Sequence, residues 1–253
     1  MLRVLYNFFL NKLIFNYFGF LMRSKLKKHS LSISGRVFDI GCGKKPYKSL
    51  FPNVTTYMGS NSKSYYKDAL SVPKSDFFIN DGTMLPFKDE IFDSIINFQV
   101  LPVFSNPTDF LKEVKRVTKI NGTFLLTTDF LYPIWNAPYN YFRTTVFGLE
   151  HLAMQAGWEV VKIEAFGGYW SMQARLLDRY IKGLMTKLVN RFKAESNLFL
   201  KFTNLCAVAF WILIVLISPI FVNLSFILFH FLDKLFLDED FTTNYLIILK
   251  KNK

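Results

Sequence analysis

The run Arg36-Val37-Phe38-Asp39-Ile40-Gly41-Cys42-Gly43 constrains the fold more than any other stretch. A short apolar segment ends in an aspartate and breaks into Gly-x-Gly. That pattern predicts a strand over Arg36–Ile40 feeding a loop where a ligand can approach bare backbone, because glycine has no Cβ and tolerates φ > 0. In open α/β sheets, nucleotide-type ligands bind in this crevice, at the carboxyl end of the first strand. A dinucleotide is disfavoured, since Pro46 stands where G-x-G-x-x-G places its third glycine.

Further strands are expected at Thr55–Met58, Asp76–Ile79, Phe92–Asn97, Thr123–Thr128, Glu159–Ala165 and Phe241–Leu249. Helices are expected at Pro107–Thr118, stopped by Asn121-Gly122, and at Thr144–Ala156, capped by Thr144 and stopped by Gly157. In the first of these, Phe110, Leu111, Val114 and Val117 share one face. Strands alternating with helices predict an α/β fold: a doubly wound, mostly parallel sheet with helices on both faces. The alternation stops after Gly168 with a basic helical stretch to Lys201. Then come 31 positions, 202–232, with no Asp, Glu, Lys or Arg.

The net charge of +12 is concentrated beside the apolar segments. Residues 35–170 carry 14 basic and 13 acidic side chains, whereas residues 1–34 carry six basic and no acidic ones, and residues 171–201 seven basic and two acidic. Basic side chains next to long aliphatic runs favour the anionic cytoplasmic face of a membrane over nucleic acid as partner; a solvated basic face is the alternative. Residues 1–22 read as a shallowly inserted or surface-packed helix. Pro219 divides residues 202–232 into arms too short for two full crossings, so a re-entrant hairpin, interfacial helices, or a soluble cap or dimer interface are the readings. Two distant cysteines, Cys42 and Cys206, make no disulfide framework, and no Cys/His/Asp cluster has metal-ligand spacing.

Five motifs in register resemble the class I S-adenosylmethionine-dependent methyltransferases, and most closely the small-molecule group called type 11. They are Val37–Gly43, Asp81–Asp89, Ile91–Ile96, Phe110–Val117 and Asn121–Leu125. The resemblance implies seven strands, the last antiparallel and set beside the fifth and sixth. It divides the chain into an N-terminal helical segment (1–34), a cofactor-binding core (35–168), an apolar helical insertion (169–240) and the last strand (241–253).

It further implies S-adenosylmethionine as cofactor. Asp39, Gly41 and Gly43 would hold its methionine and ribose end, Asp81 and Gly82 its adenine. Asn61 stands where relatives place the acid that chelates the ribose hydroxyls, and Gln99 is the polar group left after strand four, where relatives carry Glu-His. The glycine loop, Asn61 and Asp81-Gly82 each have a plainer reading as turn residues. Tyr139, Tyr141 and Arg143 resemble an acceptor-binding run in relatives linked to surface glycans; a packed loop is the alternative. The implied function is methyl transfer to a small, lipid-linked or glycan-precursor acceptor at the cytoplasmic membrane face, with no metal and no nucleic acid. The alternatives are a catalytically degenerate partner protein, and a quinone or lipid carbon methyltransferase.

Overall fold

The computed structural model describes residues 17–62, 75–79, 82–194, 224–236, 238 and 240–252. The expectations for residues 1–16 and 202–223, and the adenine role of Asp81, fall outside these residues. The chain divides into two compact units, residues 1–20 with 167–241, and residues 21–166 with 242–253.

The second unit is built on a seven-stranded sheet of order β3-β2-β1-β4-β5-β7-β6. Its strands are β1 (Ser34–Ile40), β2 (Asn53–Asn61), β3 (Phe77–Phe78), β4 (Phe92–Phe98), β5 (Thr118–Asp129), β6 (Glu159–Phe166) and β7 (Asn244–Lys250). β1 pairs in parallel with β2 and β4, and β4 with β5. β7 lies between β5 and β6, antiparallel to both. This is the doubly wound arrangement expected from the strand–helix alternation.

The sheet core is aromatic. Phe38 stacks on Phe92 with ring centroids 5.0 Å apart, and Phe87 meets both edge-on. Helix α2 (Pro107–Val117) buries Phe110, Leu111, Val114 and Val117, the face expected from their spacing. Asn106 caps it, its Oδ1 accepting from the Asp109 amide, and Pro107 sits in the first turn, where a missing N–H costs nothing.

Two helix boundaries differ from expectation. Asn121-Gly122 does not stop α2. The helix ends at β-branched Val117, and Thr118 already pairs with Phe92 in β5. Asn121, at φ 61°, instead forms an irregularity inside β5, whose amide donates to the Lys251 carbonyl. Helix α3 (Val146–Gln155) is capped by Thr145 rather than Thr144, its hydroxyl accepting from the Gly148 amide at 3.2 Å.

Charge fastens two peripheral segments of this unit. Glu164 of edge strand β6 receives Lys25 (2.8 Å), Lys28 (3.4 Å), His29 (2.9 Å) and Lys162 (2.5 Å). Burial pushes the Glu164 carboxyl up, but hydrogen bonds from Lys162, Lys25 and His29 outweigh burial and hold it well below the usual carboxylate range. Lys25, Lys28 and His29 belong to or follow helix α1 (Tyr17–Lys28), so Glu164 ties the end of α1 to the sheet edge. Arg116 anchors the segment after β3, donating to the Leu85 and Phe87 carbonyls and to Asp89 and Glu113.

In the first unit, helix α4 (Tyr169–Ala194) begins under Asp233, which accepts from the Trp170 and Ser171 amides at 3.0 Å each. Asp233 lies on helix α5, described over 224–235. Tyr17 packs on this pair. Its ring stacks on Phe226 at 4.8 Å and its hydroxyl meets Ser171 Oγ at 2.6 Å.

Arg116→Ala should lower stability by about 2 kcal/mol in chemical denaturation, since it leaves two carbonyls and two carboxylates without their charged donor. Lysine should restore less than half of the loss, because it lacks the guanidinium fork.

Candidate functional site

The carboxyl ends of β1, β2, β4 and β5 lie side by side in the sheet, and the glycine loop leaves the first of them. Gly41 and Gly43 have φ of 74° and 53°. The amides of Gly41 and Cys42 both donate to the Ser60 carbonyl at 2.9 Å, which folds the loop back over β2. A Cβ on Gly41 would stand 2.6 Å from Val100 Cγ2, so that glycine is needed for packing. At Gly43 nothing among the described residues lies within 4 Å of a Cβ position. Open space against bare backbone is what close approach of a ligand requires, and it fits the cofactor that the motifs imply.

Asn61, the last residue of β2, is 3% exposed and closes the loop from below. Its Oδ1 accepts from the Gly43 amide at 2.9 Å and its Nδ2 donates to the Gly43 carbonyl at 3.1 Å. Only an amide can accept and donate in this way; a carboxylate would oppose the carbonyl. The departure from the acid usual at this position therefore has a local physical reason.

Asp39 is 3% exposed at the end of β1. It accepts from the Tyr57 hydroxyl, and burial pushes its carboxyl up to about 7, against the Tyr57 hydrogen bond and the field of Lys45. Burial and the nearby Asp39 charge push the Tyr57 hydroxyl up in turn. Burial also pushes the Cys42 thiol up to about 12, so it stands as a packed neutral group against Gly59. Sequence reading missed two further partners here. Asp76 accepts from Lys45 Nζ and from the Gly59 amide, each at 2.7 Å, and steadies the loop and β2 together. Nothing in the local sequence pairs Lys45 with Asp76; the β2–β3 contact does.

Gln99 follows β4 at φ 63°. Its amide donates to the Thr127 carbonyl at 2.8 Å and its Nε2 to Thr127 Oγ1 at 3.1 Å, placing it across the end of β5. Gly82 is buried where any Cβ would run into the rings of Phe104 and Phe110.

Beyond β5, Asp129 is 1% exposed and organises the loop that carries Tyr139, Tyr141 and Arg143. Its Oδ2 accepts from Trp135 Nε1 at 2.8 Å and faces Arg143 Nη2 at 3.3 Å, while its Oδ1 is buried without a hydrogen-bond partner among the described residues. The Arg143 guanidinium is turned onto its own loop, donating to Asn140 Oδ1 at 2.7 Å and to the Phe142 carbonyl at 3.0 Å. Tyr139 and Tyr141 expose their rings, 36% and 48%. Asp129 was not a sequence candidate, because a polar residue at a strand end carries no signal until its partners are located.

Residues 38–126 match the family profile described as a methyltransferase domain. Among solved structures, the chain is similar to a SAM-dependent methyltransferase from Archaeoglobus fulgidus, at 14% identity and TM-score 0.51 over 92% of this chain and 94% of that one. It is similar to the YcgJ protein from Bacillus subtilis at 17% identity and TM-score 0.50, over 91% and 97%. It is also similar to the [4+2]-cyclase SpnF, at 15% identity and TM-score 0.53 over 90% and 79%. These identities speak for the fold. No curated protein matches the chain.

Two outcomes follow for the loop. Asp39 favours folding while protonated, so its contribution is present at low pH and lost as pH rises through about 7. A cationic ligand favours the ionised carboxylate. Affinity for S-adenosylmethionine should therefore rise with pH, by up to about tenfold per unit below that value, with proton release seen by calorimetry in buffers of different ionisation heat. Asp39→Asn should flatten both. Asn61→Asp should lower the melting stability by about 1–2 kcal/mol without tightening S-adenosylhomocysteine binding; tighter binding would instead assign this position to the ribose.

The glycine loop, the motifs in register and the β5-β7-β6 order agree with the match of residues 38–126 to the methyltransferase-domain profile, so this stretch is a methyltransferase domain of the type 11 group.

Proposed function

We propose that this enzyme methylates a small lipid-linked or glycan-precursor acceptor at the cytoplasmic face of a membrane, and that the acceptor presents a hydroxyl or amine to Asp129. The observation that carries the acceptor chemistry is Asp129 Oδ1, a buried carboxylate oxygen without a donor among the described residues, beside one already held by Trp135 and Arg143. An unpaired buried acceptor is costly, and a donor group on a ligand relieves that cost. The exposed rings of Tyr139 and Tyr141, on the loop that Asp129 holds through Trp135 and Arg143, suit the face of a sugar or isoprenoid head.

S-adenosylmethionine, when bound, supplies a methyl group on a sulfonium. Asp39, Gly41 and Gly43 are the residues of this chain that would hold it, with Asn61 keeping the loop in shape. Gln99, at the end of β4, is fixed on Thr127. Methyl transfer needs chiefly proximity and alignment, and Asp129 adds a place for the proton of a hydroxyl or amine. A second reading, a cofactor-binding partner without catalysis, is favoured by Asn61, whose amide is taken up by Gly43.

The test uses the full chain, methyl-labelled S-adenosylmethionine and detergent-dispersed lipids from cells lacking the gene. Label should enter the lipid fraction and fall about 100-fold or more with Asp129→Asn, while S-adenosylhomocysteine affinity stays unchanged. Cofactor binding without any transfer would support the partner reading. Label on a ring carbon, located by mass spectrometry, would support a quinone or lipid carbon methyltransferase.

A further inference from the structure

Helix α5 carries apolar side chains on its outward face as well as its inward one. On a helix packed against a water-soluble body, apolar side chains face inward and polar ones outward. Over 224–235 the inward residues are Phe226, 4% exposed, Asp233, 8% exposed, and His230, whose Nδ1 lies 3.3 Å from the Tyr17 hydroxyl, while Lys234 is exposed. The outward residues are Leu224, Ile227, Leu228, Phe231 and Leu235, exposed by 60%, 70%, 54%, 58% and 57%. Their spacing of three or four residues makes one continuous stripe along the helix. The helix cannot roll to hide it. Asp233 is held by the Trp170 and Ser171 amides, and Phe226 is stacked on Tyr17.

We infer that this stripe is a membrane-docking face, seated in the interfacial region of a bilayer that contains anionic lipid. Three observations select a bilayer over a protein partner. The stripe continues, in sequence, a run from 202 to 223 without a charged residue, so the apolar chemistry extends beyond what a single docking helix needs. Helix α4 of the same unit carries Arg175, Arg179, Lys182, Lys187, Arg191 and Lys193 against one acid, Asp178, and such an excess complements anionic headgroups. No helix among the described residues is long and apolar enough to cross a membrane, and the described turns of α5, apolar outside and tied down by Asp233 inside, suit an interfacial seat.

The inference gives the proposed lipid-linked acceptor its surface and rests on that reading for its biological sense, but it is tested separately. The full chain is floated with vesicles of phosphatidylcholine alone and of phosphatidylcholine with phosphatidylglycerol. Binding should be strong only to the mixed vesicles. Ile227→Ser with Phe231→Ser should weaken it at least about tenfold, since each side chain that leaves the acyl boundary gives up roughly a tenfold factor or more. Met154→Ser, at another exposed apolar position, should leave it unchanged. S-adenosylhomocysteine affinity, measured by calorimetry on the same preparations, should be equal in all forms.

Wild type that does not float with either vesicle overturns the inference. So does a double variant that floats like wild type. So does a wild-type dimer that the double variant converts to monomer without any change in flotation, which would assign the stripe to a second copy. Absence of methyl transfer to dispersed lipid, with flotation as expected, would overturn the acceptor reading and leave the docking face standing.

Discussion

The pair of hydrogen bonds between Asn61 and the backbone of Gly43 is the constraint on which the site depends. Gly43 must stay open on its outer side for a ligand to approach, so nothing there can support it. Support has to come from beneath, and β2 supplies it through Asn61 and through the Ser60 carbonyl, which gathers the Gly41 and Cys42 amides. Asp76 then ties Lys45 to β2 on the far side of the loop. A loop with this many internal bonds is preorganised, so little ordering entropy remains to be lost when a ligand arrives. Relatives place an acid where this chain places Asn61. Here the position serves the loop first.

Electrostatics divides the second unit into two regimes. Asp39 and Asp129 are both nearly inaccessible, but only Asp129 has a guanidinium beside it. Asp39 has only a phenol and a more distant ammonium to set against burial, and burial raises its carboxyl. The cofactor end of the site can thus be close to neutral before binding. Glu164, at the sheet edge, is the opposite case. Surrounding cations hold its carboxyl low, and its role is to fasten α1 rather than to react.

Much of the fold was legible because its carriers are local. Gly-x-Gly after an apolar run, the 3.6-residue face of α2 and the strand–helix alternation each need only near neighbours in sequence. Boundaries were less legible. Asn121-Gly122 reads as a helix stop, yet the backbone bonds between this pair and Lys251 make it part of β5, and Lys251 is remote in sequence. The site divided along the same line. Asp39, Gly41, Gly43 and Asn61 were found from motif position, and the structure brings them together. The reason for Asn61, and the existence of Asp129 as an organiser, came only from long-range partners. Arg143 shows the converse: a residue that looks free in sequence has its donors engaged by its own loop.

The place of β7 has a consequence for synthesis. This strand pairs on both sides, with β5 and with β6, yet it follows β6 by the whole of residues 167–243. Until it leaves the ribosome, β5 and β6 each present a row of unsatisfied amides and carbonyls, separated by a strand-wide gap. The nascent second unit cannot close its sheet from its own contiguous residues. The first unit, apart from residues 1–20, is made inside that interval, the uncharged run that precedes α5 included. The order of translation therefore lets the apolar segment meet its surroundings before the sheet is finished, and closure of the sheet waits for residues 244–250.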